Sequence, residues 1–224
     1  LVNEVYADSP ASMVGLQAGD LIVKVDDLDV NAETYQQAAD AIRGEEGSKV
    51  NITYRREAED TTIEVTRRKV DIPTVFSRII DGNIGYVQVT EFNESTATQF
   101  SNQVDTLIGQ GAQALVFDMR NNGGGTLSSV TKMLDKLLPE GDIISAEYKD
   151  GTVEVLAKSD ENEIDLPMVV LTNNRTASAA ELFTQALRDY GKAKSVGVTT
   201  YGKGPMQTVK KLNDGSAVNV TVAR

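Results

Sequence analysis

The sequence predicts a mixed α/β protein, a small β-rich first third followed by a larger core of alternating strands and helices. Three observations carry this. The first third holds short segments of alternating burial separated by turn residues. Residues 114–119, apart from Asp118, and 168–172 read as buried apolar runs, as in strands covered on both faces. Each run leads through a loop into apolar residues at helical spacing.

In order, residues 1–6 read as a strand, a short helix follows around 12–15, and residues 17–20 make a turn. Residues 21–25 alternate as a strand, and Asp26-Asp27 turn the chain. Asn31 is placed to cap a helix whose Tyr35, Ala38, Ala39 and Ile42 share one face, with Gly44 and Gly47 ending it. Residues 50–55 and 62–67 then form a strand pair that closes a small barrel-like domain. Residues 69–75 carry charges, Pro73 and no clear period, which marks the connection. Beyond it, 84–89 is a strand and Ala97, Phe100, Val104 and Ile108 define a helix. The strand at 114–119 leads through a glycine loop to a helix with Leu127, Val130, Leu134 and Leu138. The strand at 168–172 leads to a helix with Leu182, Phe183, Ala186, Leu187 and Tyr190, ended by Gly191. Residues 217–224 alternate as a final strand. With Leu1 first and no turn after that strand, the chain reads as a fragment cut at both ends.

Composition narrows the chemistry. With 33 acidic and 22 basic residues the formal charge is −11, which repels nucleic-acid backbones and anionic lipid. No apolar run approaches the ~20 residues that span a bilayer. The chain has no histidine and no cysteine. That excludes a Ser–His–Asp triad, histidine metal ligands and cysteine-type structural zinc within these residues. No disulfide can form, which leaves the compartment open.

Three segments can carry chemistry. Asp118-Met-Arg-Asn-Asn-Gly123-Gly124-Gly125 joins a buried strand to a helix. Such a loop can point bare N–H groups at an oxyanion, or serve only as a tight connection. It lacks the spacing of the common nucleotide-binding loops. In Asn173-Asn-Arg-Thr176-Ala-Ser178-Ala-Ala-Glu181, Ser178 and Glu181 fit a capping box, worth ~1 kcal/mol. Ser178 also suits a nucleophile, since a helix start stabilises negative charge, and the Ala179 amide could donate to an oxyanion. In Thr200-Tyr-Gly202-Lys203-Gly204-Pro-Met-Gln207 a lysine sits between glycines. Lysine there is ordinarily a solvated turn residue. As a general base it must be neutral, which calls for a desolvated pocket. Gln207 could orient the amine.

The first third resembles a bacterial PDZ domain, through Ala7-Asp-Ser-Pro-Ala and Gly15-Leu-Gln-Ala-Gly-Asp-Leu-Ile-Val-Lys-Val. The three chemical segments, in this order, resemble the D-L-R-x-N-x-G-G, T/S-A-S-A-S-E and F/Y-G-K-G-x-x-Q motifs of carboxyl-terminal processing proteases. Ser178 and Lys203 lie 25 positions apart, similar to the family spacing. Met119 stands for the usual leucine and Ala180 for the second serine. The resemblance implies a PDZ domain over 1–68, without its first strand and carboxylate-binding loop. It implies a crotonase/ClpP-like α/β protease core over 69–224, partial at its C-terminal end. It further implies Ser178 as nucleophile, Lys203 as base, Gln207 in support, and the Gly124 and Ala179 amides as oxyanion hole. Implied too are a serine endopeptidase without cofactor or metal, protein or peptide C-terminal tails as substrates, no nucleic-acid partner, and export from the cytoplasm. An anchor would lie in the missing N-terminal segment, and the oligomeric state is open. The rival readings are a catalytically silent peptide-binding protein on the same scaffold and an α/β enzyme that reuses the glycine loop for a nucleotide.

Overall fold

Ser9-Pro10 opens the first regular element of the computed structural model, which describes residues 1–224. Ser9 Oγ accepts from the Ser12 amide at 3.1 Å, and Pro10 takes the first helical position, where a missing N–H costs nothing. The result is one turn, α1 (Pro10–Met13). The chain then forms β1 (Leu21–Val25), β2 (Leu28–Asp29), α2 (Tyr35–Ile42), β3 (Lys49–Arg56) and β4 (Glu59–Thr66). All pairings are antiparallel, in the order β2-β1-β3-β4. Val25, Val50, Ile52 and Val65 bury one sheet face against Ala38 of α2. Asp20 is buried and held by the Arg56 guanidinium, with Nε and Nη2 both at 2.7 Å. These elements belong to one unit, Leu1–Ile72.

Two local expectations change here. Residues 1–6 are not a strand. Val2 exchanges two 2.8 Å backbone bonds with Gly19 and Asp20, which form a turn and so provide no second rung. Asn31 does not cap α2. Its Oδ1 accepts from the Glu33 and Thr34 amides, tightening the turn before the helix, which begins at Tyr35. Ala38 alone of the four stripe residues is buried.

The second unit, Pro73–Arg224, is built on β5 (Val75–Ile80), β6 (Ile84–Val89), α3 (Thr96–Gly109), β7 (Ala114–Asp118) and α4 (Leu127–Asp135). It continues with β8 (Gly141–Glu147), β9 (Val153–Ser159), β10 (Met168–Thr172), α5 (Ala179–Asp189) and β11 (Ala193–Gly197), then β12 (Met206–Lys211) and β13 (Ala217–Ala223). The main sheet runs β11-β10-β7-β6-β5; only β5 is antiparallel to its neighbour. The parallel strands are added in one direction. Right-handed crossovers therefore place their helices on one face, where α4 packs on both α3 and α5. Phe117 of β7 meets Phe100 of α3 and Phe183 of α5, each with ring centroids 5.4 Å apart. All three rings are fully buried. No helix is long and apolar enough to cross a membrane.

Parallel pairing of β7 with β10 releases both chains at one edge of the sheet, which brings the glycine loop beside the segment leading to Ser178. The loop is pinned from below. Phe92 N–H donates to Gly124 O at 2.9 Å, and Thr126 N–H to Phe92 O at 2.6 Å. Gly125 has φ +146°, and a Cβ there would lie 2.1 Å from Phe92 O. Backbone strain and overpacking combine, so Gly125→Ala is expected to lower unfolding free energy by about 2–5 kcal/mol. Denaturant melts measure this; a loss under ~1 kcal/mol would mean that the loop moves aside easily.

Candidate active site

The two loops at this edge are joined by hydrogen bonds. Asn121 N–H donates to Asn173 Oδ1 at 3.0 Å, and Asn173 Nδ2 returns to Asn121 Oδ1 at 2.9 Å. Thr176, fully buried, donates its hydroxyl to Met119 O at 2.8 Å. Ala177 N–H reaches Asn122 O at 3.0 Å. Asn122 is itself buried, with Nδ2 donating to Val89 O at 2.9 Å. Below them Asp118 ends β7. Burial pushes its carboxyl up, but the Arg120 guanidinium and the Tyr86 hydroxyl, each reaching Oδ2 at 2.6 Å, leave it below the usual carboxylate range. The Asp-x-Arg part of the loop is thus its anchor.

Ser178 stands at the start of α5 with φ 56° and ψ −120°, a conformation disfavoured for any residue with a Cβ. Its amide donates to Glu181 Oε2 at 2.8 Å, and its side chain faces the Glu181 amide. The capping box expected from the sequence is therefore present. The Ala179 amide, first in the helix, has no acceptor in the chain. Ser178, Ala179, Lys203 and Gln207 line one cleft of about 990 Å³. The elements thus bring together four of the five residues singled out in the sequence.

Three details differ from expectation. The Gly124 amide is not turned to the cleft; it donates to Asn122 Oδ1 at 2.8 Å, and Gly125 is the glycine that lines the cleft. Gly124 instead supplies closeness, since a Cβ on it would sit 2.8 Å from Ser178 Cβ. Lys203 is exposed rather than desolvated, because residues 201–205 run along the surface with nothing packed over them. Its ammonium makes no hydrogen bond or ion pair with the chain. Gln207, also exposed, accepts from Asn219 Nδ2 at 3.3 Å across the β12–β13 hairpin and does not touch Lys203.

Glu181 is the residue whose role the sequence understated. Its Oε1 accepts from Thr200 Oγ1 at 2.7 Å and Gly202 N–H at 2.6 Å, while Oε2 accepts from Ser178 N–H and, at 2.9 Å, Lys203 N–H. Burial pushes this carboxyl up, but the four donors outweigh it and hold it below the usual range. The S-x-x-E spacing signalled the cap; the loop contacts 19 to 22 positions away left no local trace. No group of three or more acidic side chains is arranged to hold a metal ion.

Comparison with known proteins finds matches over both parts of the chain. A model described as peptidase family S41 matches residues 83–224, and one described as a PDZ domain matches residues 1–56. The chain is similar to the carboxy-terminal processing protease CtpA of Bacillus subtilis, 36% identical over 218 residues, covering 96% of this chain and 47% of that protein. It is also similar to the chloroplastic carboxyl-terminal-processing peptidase 2 of Arabidopsis thaliana, 33% identical over 225 residues, covering 96% of this chain and 44% of the other. Among solved structures, the photosystem II D1 C-terminal processing protease matches with a TM-score of 0.63 and 33% identity, covering 100% of this chain and 62% of that one. The chain spans about half the length of the curated relatives it matches. With a matching PDZ segment ahead of a core matched over most of its length, the chain belongs to peptidase family S41.

Proposed function

We propose that this chain carries the catalytic centre of a serine endopeptidase that cuts exported proteins near their C-termini, using Ser178 as nucleophile and Lys203 as general base. The observation that carries the reading is Ser178 itself: a strained residue at a cleft-lining helix start, beside an amide with no acceptor. In its neutral form Lys203 takes the hydroxyl proton as Ser178 attacks the peptide carbonyl. The developing oxyanion accepts from the Ala179 amide. The Gly124 amide joins it only by giving up Asn122 Oδ1. The lysinium then protonates the leaving amine and, neutral again, takes a proton from the water that releases the acyl group. A peptide lying in the cleft displaces water from Lys203, and Gln207 orients the amine once its contact with Asn219 opens. The PDZ domain holds the substrate tail as an added strand.

The exposure of Lys203 favours one rival, a silent peptide-binding protein. Mass spectrometry separates the two. The full-length protein, incubated with proteins ending in apolar or charged tails, is expected to release C-terminal fragments, apolar tails being preferred. Tails that bind but remain uncut would support the rival.

A further inference from the structure

We propose that Glu181 is a positioning residue that sets the distance between the nucleophile and the base, beyond its part as a helix cap. The proposal rests on the Ser–Lys reading above. Its basis is the way the carboxylate divides its two oxygens. Oε2 accepts from the Ser178 amide at 2.8 Å and from the Lys203 amide at 2.9 Å. Two nitrogens bonded to one oxygen lie within about 6 Å of each other, so a single atom ties the backbone of one residue to that of the other. Oε1 accepts from Thr200 Oγ1 at 2.7 Å and Gly202 N–H at 2.6 Å, which fixes the approach to Lys203.

The segment it holds has little else to hold it. Residues 201–205 are all exposed, and the Lys203 ammonium has no partner in the chain. The Tyr201 amide bonds Thr176 O at 2.9 Å, on the same side of Lys203 as the glutamate contacts. Gly202 adds backbone freedom at φ +88°. Without the carboxylate, Lys203 would be carried by a glycine-flanked surface loop, and general-base catalysis depends steeply on geometry.

The chemistry of the pair explains why a carboxylate is needed. Four donors converge on two oxygens, which uses the full acceptor capacity of an ionised carboxylate. Glutamine presents one oxygen and one NH2. In either orientation it keeps one pair of bonds and sets N–H against donors on the other. Either Ser178 is released together with Lys203, or Thr200 is released together with Gly202.

The test compares Glu181→Gln and Thr200→Val with wild type on a short peptide substrate, and measures amide hydrogen exchange at Gly202 and Lys203. Glu181→Gln is expected to lower kcat on the order of 10–100-fold with KM changed less than about threefold, as for a misplaced catalytic group. Thr200→Val, which removes one loop bond and leaves the Ser178 cap, should lower kcat in the same sense by about 3–10-fold, and it serves alone if Glu181→Gln fails to fold. Exchange at Gly202 and Lys203 should accelerate at least about tenfold in Glu181→Gln. Unchanged kcat in both folded variants, or wild-type exchange at these amides, overturns the proposal. If wild type and Ser178→Ala prove equally inert toward peptides, the Ser–Lys reading fails instead, and hydrogen exchange alone then decides whether Glu181 tethers the loop.

Discussion

Ser178→Ala is expected to reduce peptide hydrolysis by about 10⁴-fold or more while the protein stays folded. The activity loss follows from removing the attacking atom, after which cleft binding and the Ala179 amide alone contribute. The fold should tolerate the change because the Glu181 contact uses the Ser178 backbone, which leaves only the serine half of the capping box to lose. The stability change should stay within ~1 kcal/mol, the usual range for a lost cap. Turnover and a denaturant melt on the same preparation check both halves. Wild-type turnover in a folded mutant would return Ser178 to the role of helix terminus.

Lys203→Arg should be as damaging, by about 10³-fold or more, although it keeps the charge. Guanidinium stays protonated in any plausible protein site and cannot accept the serine proton. Because the Lys203 ammonium is exposed and has no ion-pair partner, the substitution strands no other group and leaves stability nearly unchanged. Rates measured from pH 6 to about 10 should stay near background throughout, since raising the pH within this range cannot restore a base that never loses its proton. Substantial turnover at any of these pH values would send the search for the base elsewhere.

The sequence revealed the core and the constellation more clearly than the edges. Strands β7 and β10 are legible because strands inside a parallel sheet demand apolar runs, and α5 because five apolar residues share one stripe. Strand β5 is hard to read: Pro73 and the charges before it look like a connection, although Asp81-Gly82 beyond it is a hairpin-turn signal. The β8–β9 hairpin and the edge strand β11 leave little trace in the sequence because exposed strands carry weak alternation. At the site, local motifs marked Ser178 and Lys203 as candidates. They could not reveal that Asn122 would take the Gly124 amide, or that Lys203 would face solvent. Both depend on how distant segments pack.

The backbone at Ser178 also sets activity against durability. With φ 56° and ψ −120°, the position suits glycine, whose missing side chain relieves strain on the order of 1–3 kcal/mol. Ser178→Gly would therefore survive heating at least as well as the parent while having no hydroxyl to react. Directed evolution that rewards thermal survival alone would drift toward this dead variant, so any effort to harden the protein needs turnover as a second gate at every round.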